Sequence, residues 1–141
     1  MKAYLDANIY VCYLLGEKGE AEIDRLFEIA AKCRFSLVGS NTAFAEVQRR
    51  CGYMAVPLLQ TTINKLQKAG KLAIVNENEG EITKAIEMNA TTGNRFGRND
   101  FIHAILASRY ADVFVTNDRE FSGEASKIVE TRSLADFLRT L

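Results

Sequence analysis

Four carboxylates sit where they could work together: Asp6 in YLDAN, Glu46 in NTAFAEV, Asp100 in GRNDFIHAILA and Asp118 in VFVTND. Asp6, Glu46 and Asp100 lie in apolar sequence, and burying such groups unpaired is costly. Two carboxylates about 4 Å apart repel by ~4 kcal/mol at an effective dielectric near 20. A cluster must therefore take up protons or recruit positive charge, and the strings around Asp6 and Asp118 hold no buried-looking Lys or Arg. A divalent cation answers the problem. An all-oxygen donor set with few imidazoles or thiolates favours hard ions, Mg²⁺ or Mn²⁺, over Zn²⁺. The lone His103 follows Asp100 by three residues; it reads as a packed helix residue or as an extension of the acidic site, since one imidazole without partners makes no zinc site.

Taken singly, each acid also has a structural use. Asp6 can cap the helix starting near Asn8, Asp100 can complement a helix dipole, and Asp118 sits in a turn-forming Asn-Asp pair. Glu46 precedes Arg50 by four residues, the favourable order for a helix-surface pair. The joint pattern, not any one residue, points to a site.

Along the chain, strands and helices alternate. Strands are predicted at 3–6, 35–38, 72–75, 113–116 and 127–129. Helices are predicted at 8–15, 19–33, 42–51, 54–69, 79–90, 100–110 and 133–140. The helix at 19–33 carries Ile23, Leu26, Phe27, Ala30 and Ala31 on one stripe; Gly70 and Ser133 suit a C-terminal and an N-terminal cap, and Pro57 suits a first turn. Strands separated by helices imply crossover units and a three-layer α/β domain with a mostly parallel sheet. In such sheets ligands bind outside the carboxyl ends of the strands. Asp6 and Asp118 finish strands, and Glu46 and Asp100 open helices, so all four belong to that end.

Composition bounds the answer. With 141 residues, 48% hydrophobic, 18 basic and 18 acidic side chains, the chain is one globular domain with no linker, repeat or low-complexity stretch. Zero formal charge excludes coating nucleic acid through bulk positive charge. The three cysteines, Cys12, Cys33 and Cys51, lack C-x-x-C spacing and read as reduced core thiols. No apolar run reaches the roughly 18 residues of a membrane span, and no leader pattern follows Met1, so a cytoplasmic protein is expected.

YLDAN, the Ala-Glu after strand two, NDFIHAILA and VTNDREF, in this order along the whole chain, resemble the PIN-domain nucleases, many of them toxins of VapBC-type toxin–antitoxin pairs. The resemblance implies a sheet in order 3-2-1-4-5 and makes Asp6, Glu46, Asp100 and Asp118 an acidic quartet holding Mg²⁺ or Mn²⁺. Asn8, Thr116 and Asn117 fall where relatives support the site; Glu120 falls where some carry another acid. The implied reaction is endonucleolytic hydrolysis of RNA to a 5′-phosphate and a 3′-hydroxyl. Metal ions would bind phosphate oxygen, acidify water and stabilise the leaving oxygen.

Substrate grip needs positive charge near the acids. Arg95 and Arg98 flank Asp100 in the irregular 91–99 loop, and Arg49 and Arg50 follow Glu46; Lys65, Lys68 and Lys71 form a stripe that either meets RNA or solubilises a helix. Phe96 could stack on a base or anchor its loop. The apolar NIYVCYLL helix is core or, as in similar toxins, an antitoxin dock; the resemblance also implies a homodimer. Two rivals remain: a housekeeping RNA-processing nuclease, and a noncatalytic PIN-like module that binds RNA or protein. A receiver domain would need a strand-end Lys with an aspartate pair, which this sequence does not show, and Asn8 replaces the second acid of the dehalogenase-type D-x-D.

Overall fold

A computed structural model of the chain describes residues 1–16, 20–32, 35–53 and 56–141, with 20–23 and 56 described by backbone alone. Lys2–Leu5 (β1), Ser36–Ser40 (β2), Leu72–Val75 (β3), Val113–Val115 (β4) and Thr131–Arg132 (β5) form one parallel sheet in the order β3-β2-β1-β4-β5. The connecting helices are Ala7–Leu15 (α1), Glu20–Ala31 (α2), Asn41–Cys51 (α3), Val56–Lys68 (α4), Glu79–Thr91 (α5), Arg98–Tyr110 (α6), Arg119–Ala125 (α7) and Leu134–Arg139 (α8). Parallel strands need such crossovers, because a tight hairpin can only reverse the chain.

The side chains of β1 alternate between two cores, as a pleated strand requires. Ala3 and Leu5 face a cluster built with α1, α2, α3, α4 and α8, whereas Tyr4 faces one built with α5, α6 and α7. β2 and β4 divide likewise: Leu37, Val113 and Val115 on the first side, Val38 and Phe114 on the second. Gly39 in β2 lets α3 lie close, since a Cβ there would meet Phe44 Cζ at 2.9 Å.

Local signals behave as their chemistry dictates. Gly70 is left-handed with φ 68°, Ser133 Oγ accepts from the Asp136 N–H, and Pro57 lies in the first turn of α4. In α2, Leu26, Phe27 and Ala30 are buried, but Ala31 is exposed because the helix ends there; Ile23 lies outside the residues whose side chains are described. Cys12 and Cys51 pack half-buried on the first core. Cys33 and the predicted start of α4 at Met54 lie outside the described residues. In the NIYVCYLL helix Ile9, Tyr10 and Val11 are core, while Leu15 is 53% exposed.

The last strand departs from expectation. It is not 127–129 but Thr131–Arg132, preceded by a helix, α7, that the sequence pattern did not suggest. Ile128 and Val129 carry the strand-like residues, yet both donate their N–H groups to Ala125 O, at 2.9 and 3.0 Å, closing α7. Their backbones are thereby withdrawn from the ladder, and their side chains pack half-buried on the second core.

Candidate active site

The carboxyl ends of the strands carry the acids through helix starts. Asp6 follows β1 and caps α1, its Oδ1 accepting from the Ala7 N–H at 2.7 Å. Asp118 follows β4 and caps α7, its Oδ1 accepting from the Phe121 N–H at 3.1 Å. Asp100, in the first turn of α6, accepts from the Gly97 N–H through Oδ2 at 2.9 Å. The structural uses foreseen for Asp6 and Asp100 are thus realised, Asp118 caps a helix where a turn was expected, and no hydrogen bond is described to Asp100 Oδ1 or Asp118 Oδ2.

Asp6 is 6% exposed and its second oxygen is also held. Thr116 Oγ1 donates to Oδ2 at 2.7 Å and Asn8 Nδ2 donates to the same oxygen at 3.2 Å. Thr116 Oγ1 accepts in turn from the Asp118 N–H at 3.2 Å, tying the ends of β1 and β4 together. Asn117 is exposed; its Oδ1 accepts from the Leu134 N–H at 3.1 Å and its N–H reaches Asn8 Oδ1 at 3.4 Å. Asn8, Thr116 and Asn117 therefore hold the loop ends around the acids.

Glu46 makes no described ion pair with Arg50. Its Oε1 instead meets His103 Nε2 at 3.1 Å, and His103 Nδ1 lies 2.8 Å from the Tyr4 hydroxyl, itself 2.7 Å from Ser40 Oγ. His103, Tyr4 and Ser40 are fully buried. Neither Tyr4 nor Ser40 was singled out in the sequence: Tyr4 reads as an ordinary strand residue and Ser40 lies past the predicted end of the second strand, and only the packing of α6 on the sheet brings them to the imidazole.

The acids feel one another. Burial raises the Asp6 carboxyl above its usual range, partly offset by His103, Thr116 and the Ala7 N–H, with Glu46 adding repulsion. Asp100 is raised by burial and by the charges of Asp6 and Asp118, against the Gly97 hydrogen bond. Glu46 is lowered despite burial, because His103, Asn99 and Arg49 favour its charged form. Burial alone would depress His103, but Glu46, Asp6 and Asp100 lift it above the usual imidazole value. Among the described residues no Lys or Arg pairs with any of the four acids.

This donor set suits a hard cation: carboxylate oxygens and net negative charge, with His103 on Glu46 as the one basic side chain paired with the acids among the described residues. The spacing is looser than such a site demands, for among the described residues no three Asp, Glu, His or Cys side chains are gathered closely enough to hold an ion. The structure brings the four acids to one end of the sheet without closing them on a common point.

Of the predicted cationic contacts, Arg49, Arg50, Arg95 and Arg98 are exposed. Arg95 reaches Glu120 at 3.9 Å and lies over the Phe96 ring. Phe96 packs edge-on against Phe101 and Phe121, so it anchors the loop. Lys65 and Lys68 are exposed on α4, and Lys71 is half-buried. A groove of about 520 Å³, lined by Asn117, Arg119, Arg132 and Ser133 among others, flanks Asp118; its two arginines were not singled out by sequence spacing.

The fold has solved counterparts. VapC20 from Mycobacterium tuberculosis, a toxin that cleaves the sarcin-ricin loop, superposes with a TM-score of 0.67 at 18% identity, over 92% of this chain and 98% of that one. VapBC2 from Rickettsia felis, bound to a DNA fragment from its promoter, gives 0.60 at 21% identity over 94% and 98%. VapBC-1 from nontypeable Haemophilus influenzae gives 0.64 at 18% over 96% and 99%. No curated protein matches the chain in sequence. Among the described residues no helix is long and apolar enough to cross a membrane. The PIN domain family matches residues 3–125, and with most of its length so matched, from β1 through α7, the chain belongs to the PIN domain family.

Proposed function

We propose that this chain is a metal-dependent endoribonuclease and the toxin of a toxin–antitoxin pair. The observation that carries the reading is the acidic end of the sheet, where His103 engages Glu46 but the three aspartates have no basic partner among the described residues. Asp6 and Asp100 are both raised above the ordinary carboxylate range, and no described Lys or Arg pairs with the quartet. Asp6, Asp100 and Asp118, with Glu46, would hold Mg²⁺ or Mn²⁺. When bound, the ion supplies Lewis acidity at the phosphate and acidifies water for in-line attack. The chain's own residues do the rest. Thr116 and Asn8 fix the Asp6 carboxylate, His103 engages Glu46, and Arg49, Arg50, Arg95 and Arg98 with the Arg119–Arg132 groove offer guanidiniums for phosphates.

Likeness to VapC20 supports RNA as the substrate, and likeness to the VapBC assemblies supports an antitoxin partner. A homodimer and a cytoplasmic location complete the proposal. A noncatalytic PIN-like module that binds RNA is the second reading, favoured by the loose spacing of the acids.

Purified protein incubated with total RNA decides between them. Discrete cuts that require Mn²⁺ and vanish with chelator support the nuclease; intact RNA that is nonetheless bound supports the module. Growth arrest on induction, relieved by a neighbouring small protein, separates a toxin from a housekeeping nuclease.

A further inference from the structure

We propose that His103 is a positioning residue: in its Nε2–H tautomer it latches the Glu46 carboxylate to a buried hydrogen-bonded ring that leaves α3 and returns to it. The ring begins at the Ala43 N–H, which donates to Ser40 Oγ at 3.0 Å. It continues through Tyr4 Oη at 2.7 Å to His103 Nδ1 at 2.8 Å, and from His103 Nε2 to Glu46 at 3.1 Å. Three of its members, Ser40, Tyr4 and His103, are 0% exposed, so no solvent competes for their hydrogen bonds.

For the neutral ring only one arrangement gives every hydrogen an acceptor. Ser40 Oγ receives the Ala43 N–H, and its own hydrogen has Tyr4 Oη as its described remaining partner. The Tyr4 hydrogen then goes to His103 Nδ1. An accepting Nδ1 carries no hydrogen, so the ring proton lies on Nε2 and is donated to Glu46. Reversing the direction leaves the Ser40 hydrogen buried without an acceptor, which costs more than a hydrogen bond is worth.

The latch also decides what His103 does not do. Both ring nitrogens are engaged, one by Tyr4 and one by Glu46, so the imidazole has no lone pair to offer a cation. It acts through Glu46, as a ligand's outer partner does. The sheet sets the geometry: Tyr4 is held opposite Val38 and Phe114 by the ladders on either side of β1. The purpose of the latch rests on the metal-dependent reading; its hydrogen-bond pattern does not.

Two measurements test it on the untagged full chain. In alkaline solution without metal, long-range ¹⁵N–¹H correlation of the chain's one histidine should show the Nε2–H tautomer in the wild type and a tautomer mixture in Tyr4→Phe. A wild-type ring protonated at Nδ1, or already mixed, overturns the latch. In a Mn²⁺ titration followed by electron paramagnetic resonance, His103→Gln, whose amide nitrogen reaches the Nε2 position, should stay within about threefold of wild-type affinity, whereas the shorter His103→Asn should weaken it about tenfold. Equal affinity of His103→Asn and the wild type overturns the positioning role. Should His103→Asn not fold, Tyr4→Phe takes its place, with a weakening of several-fold expected and none overturning the role. A wild-type chain that binds no Mn²⁺ overturns the metal reading, and the tautomer still decides the latch.

Discussion

Asp6 and Asp100 each do two jobs at the end of the sheet, and the jobs pull in opposite directions. As helix-end acceptors Asp6, Asp100 and Asp118 stabilise the fold; as neighbouring charges Asp6 and Asp100 strain it. Asp100→Asn keeps an oxygen for the Gly97 N–H while removing the charge. Its Tm without metal should equal the wild type or exceed it by about 2–4 °C, while RNA cleavage falls by more than the about 10- to 100-fold that an outer partner costs. Asp6→Asn should also abolish cleavage, with a smaller thermal gain, because its new amide nitrogen faces Thr116 and Asn8, which now donate to the carboxylate. Calorimetry and a cleavage assay check both; a clear drop in Tm for Asp100→Asn returns that residue to a purely structural role. The pH dependence follows from signs. Groups whose folded pKa is raised contribute stability below their unfolded pKa and lose it as pH rises through the folded one. Metal-free protein should therefore lose stability first as Asp6 and Asp100 ionise, and again above 6.5 as His103 gives up its proton. Glu46 opposes this, its contribution being lost as pH falls. Tm measured against pH in chelator shows the upper step, and His103→Gln should remove it.

At the scale of elements, the segment between α5 and α6 matters because it carries Arg95 and ends in the turn bearing Asp100. Phe96 pins it against Phe101 and Phe121, and Asn89 grips its backbone, Nδ2 donating to Phe96 O at 2.9 Å and Oδ1 accepting from the Phe96 N–H at 3.2 Å. Phe96→Ala should cost about 1–3 kcal/mol, below the range for a fully buried ring, and should speed tryptic cleavage after Arg95 while leaving far-UV circular dichroism unchanged. Unaltered proteolysis would mean the backbone grip of Asn89 suffices. Helix and strand placement was legible wherever apolar periodicity or a cap marked it, as at Gly70 and Ser133. It failed at α7, where REFSGEA has too short an apolar stripe to announce a helix, and at Ile128 and Val129, whose strand-like composition serves core packing instead.

For the molecule as a whole, balanced charge means that RNA binding, on the proposed function, rests on local guanidiniums near the acidic end of the sheet. Arg98→Ala, or the same change at Arg49 or Arg119, should lower the slope of log affinity against log salt by about 0.7 for each phosphate contact removed, as single strands behave. Fluorescence anisotropy across a salt series reads this directly, and slopes identical to wild type would place the RNA elsewhere. The Arg119–Arg132 groove belongs to this scale, since its two arginines come from α7 and β5 and meet only when β5 joins the sheet beside β4.

The amino-acid sequence by itself determined the layered α/β class and the end of the sheet at which the acids sit, because alternating patterns and strand-end polar residues are local properties. Through its likeness to a known family it also anticipated the strand order. Tertiary structure alone decided the partners: that Glu46 turns to His103 and not to Arg50, and that Tyr4 and Ser40 complete a buried ring. It also decided that Phe96 faces inward. Apart from the local Ala43–Ser40 cap, the contacts of the ring join residues 36 to 99 positions apart in the chain, and no spacing rule within one helix or strand encodes a ring that closes only when β1, β2, α3 and α6 pack together.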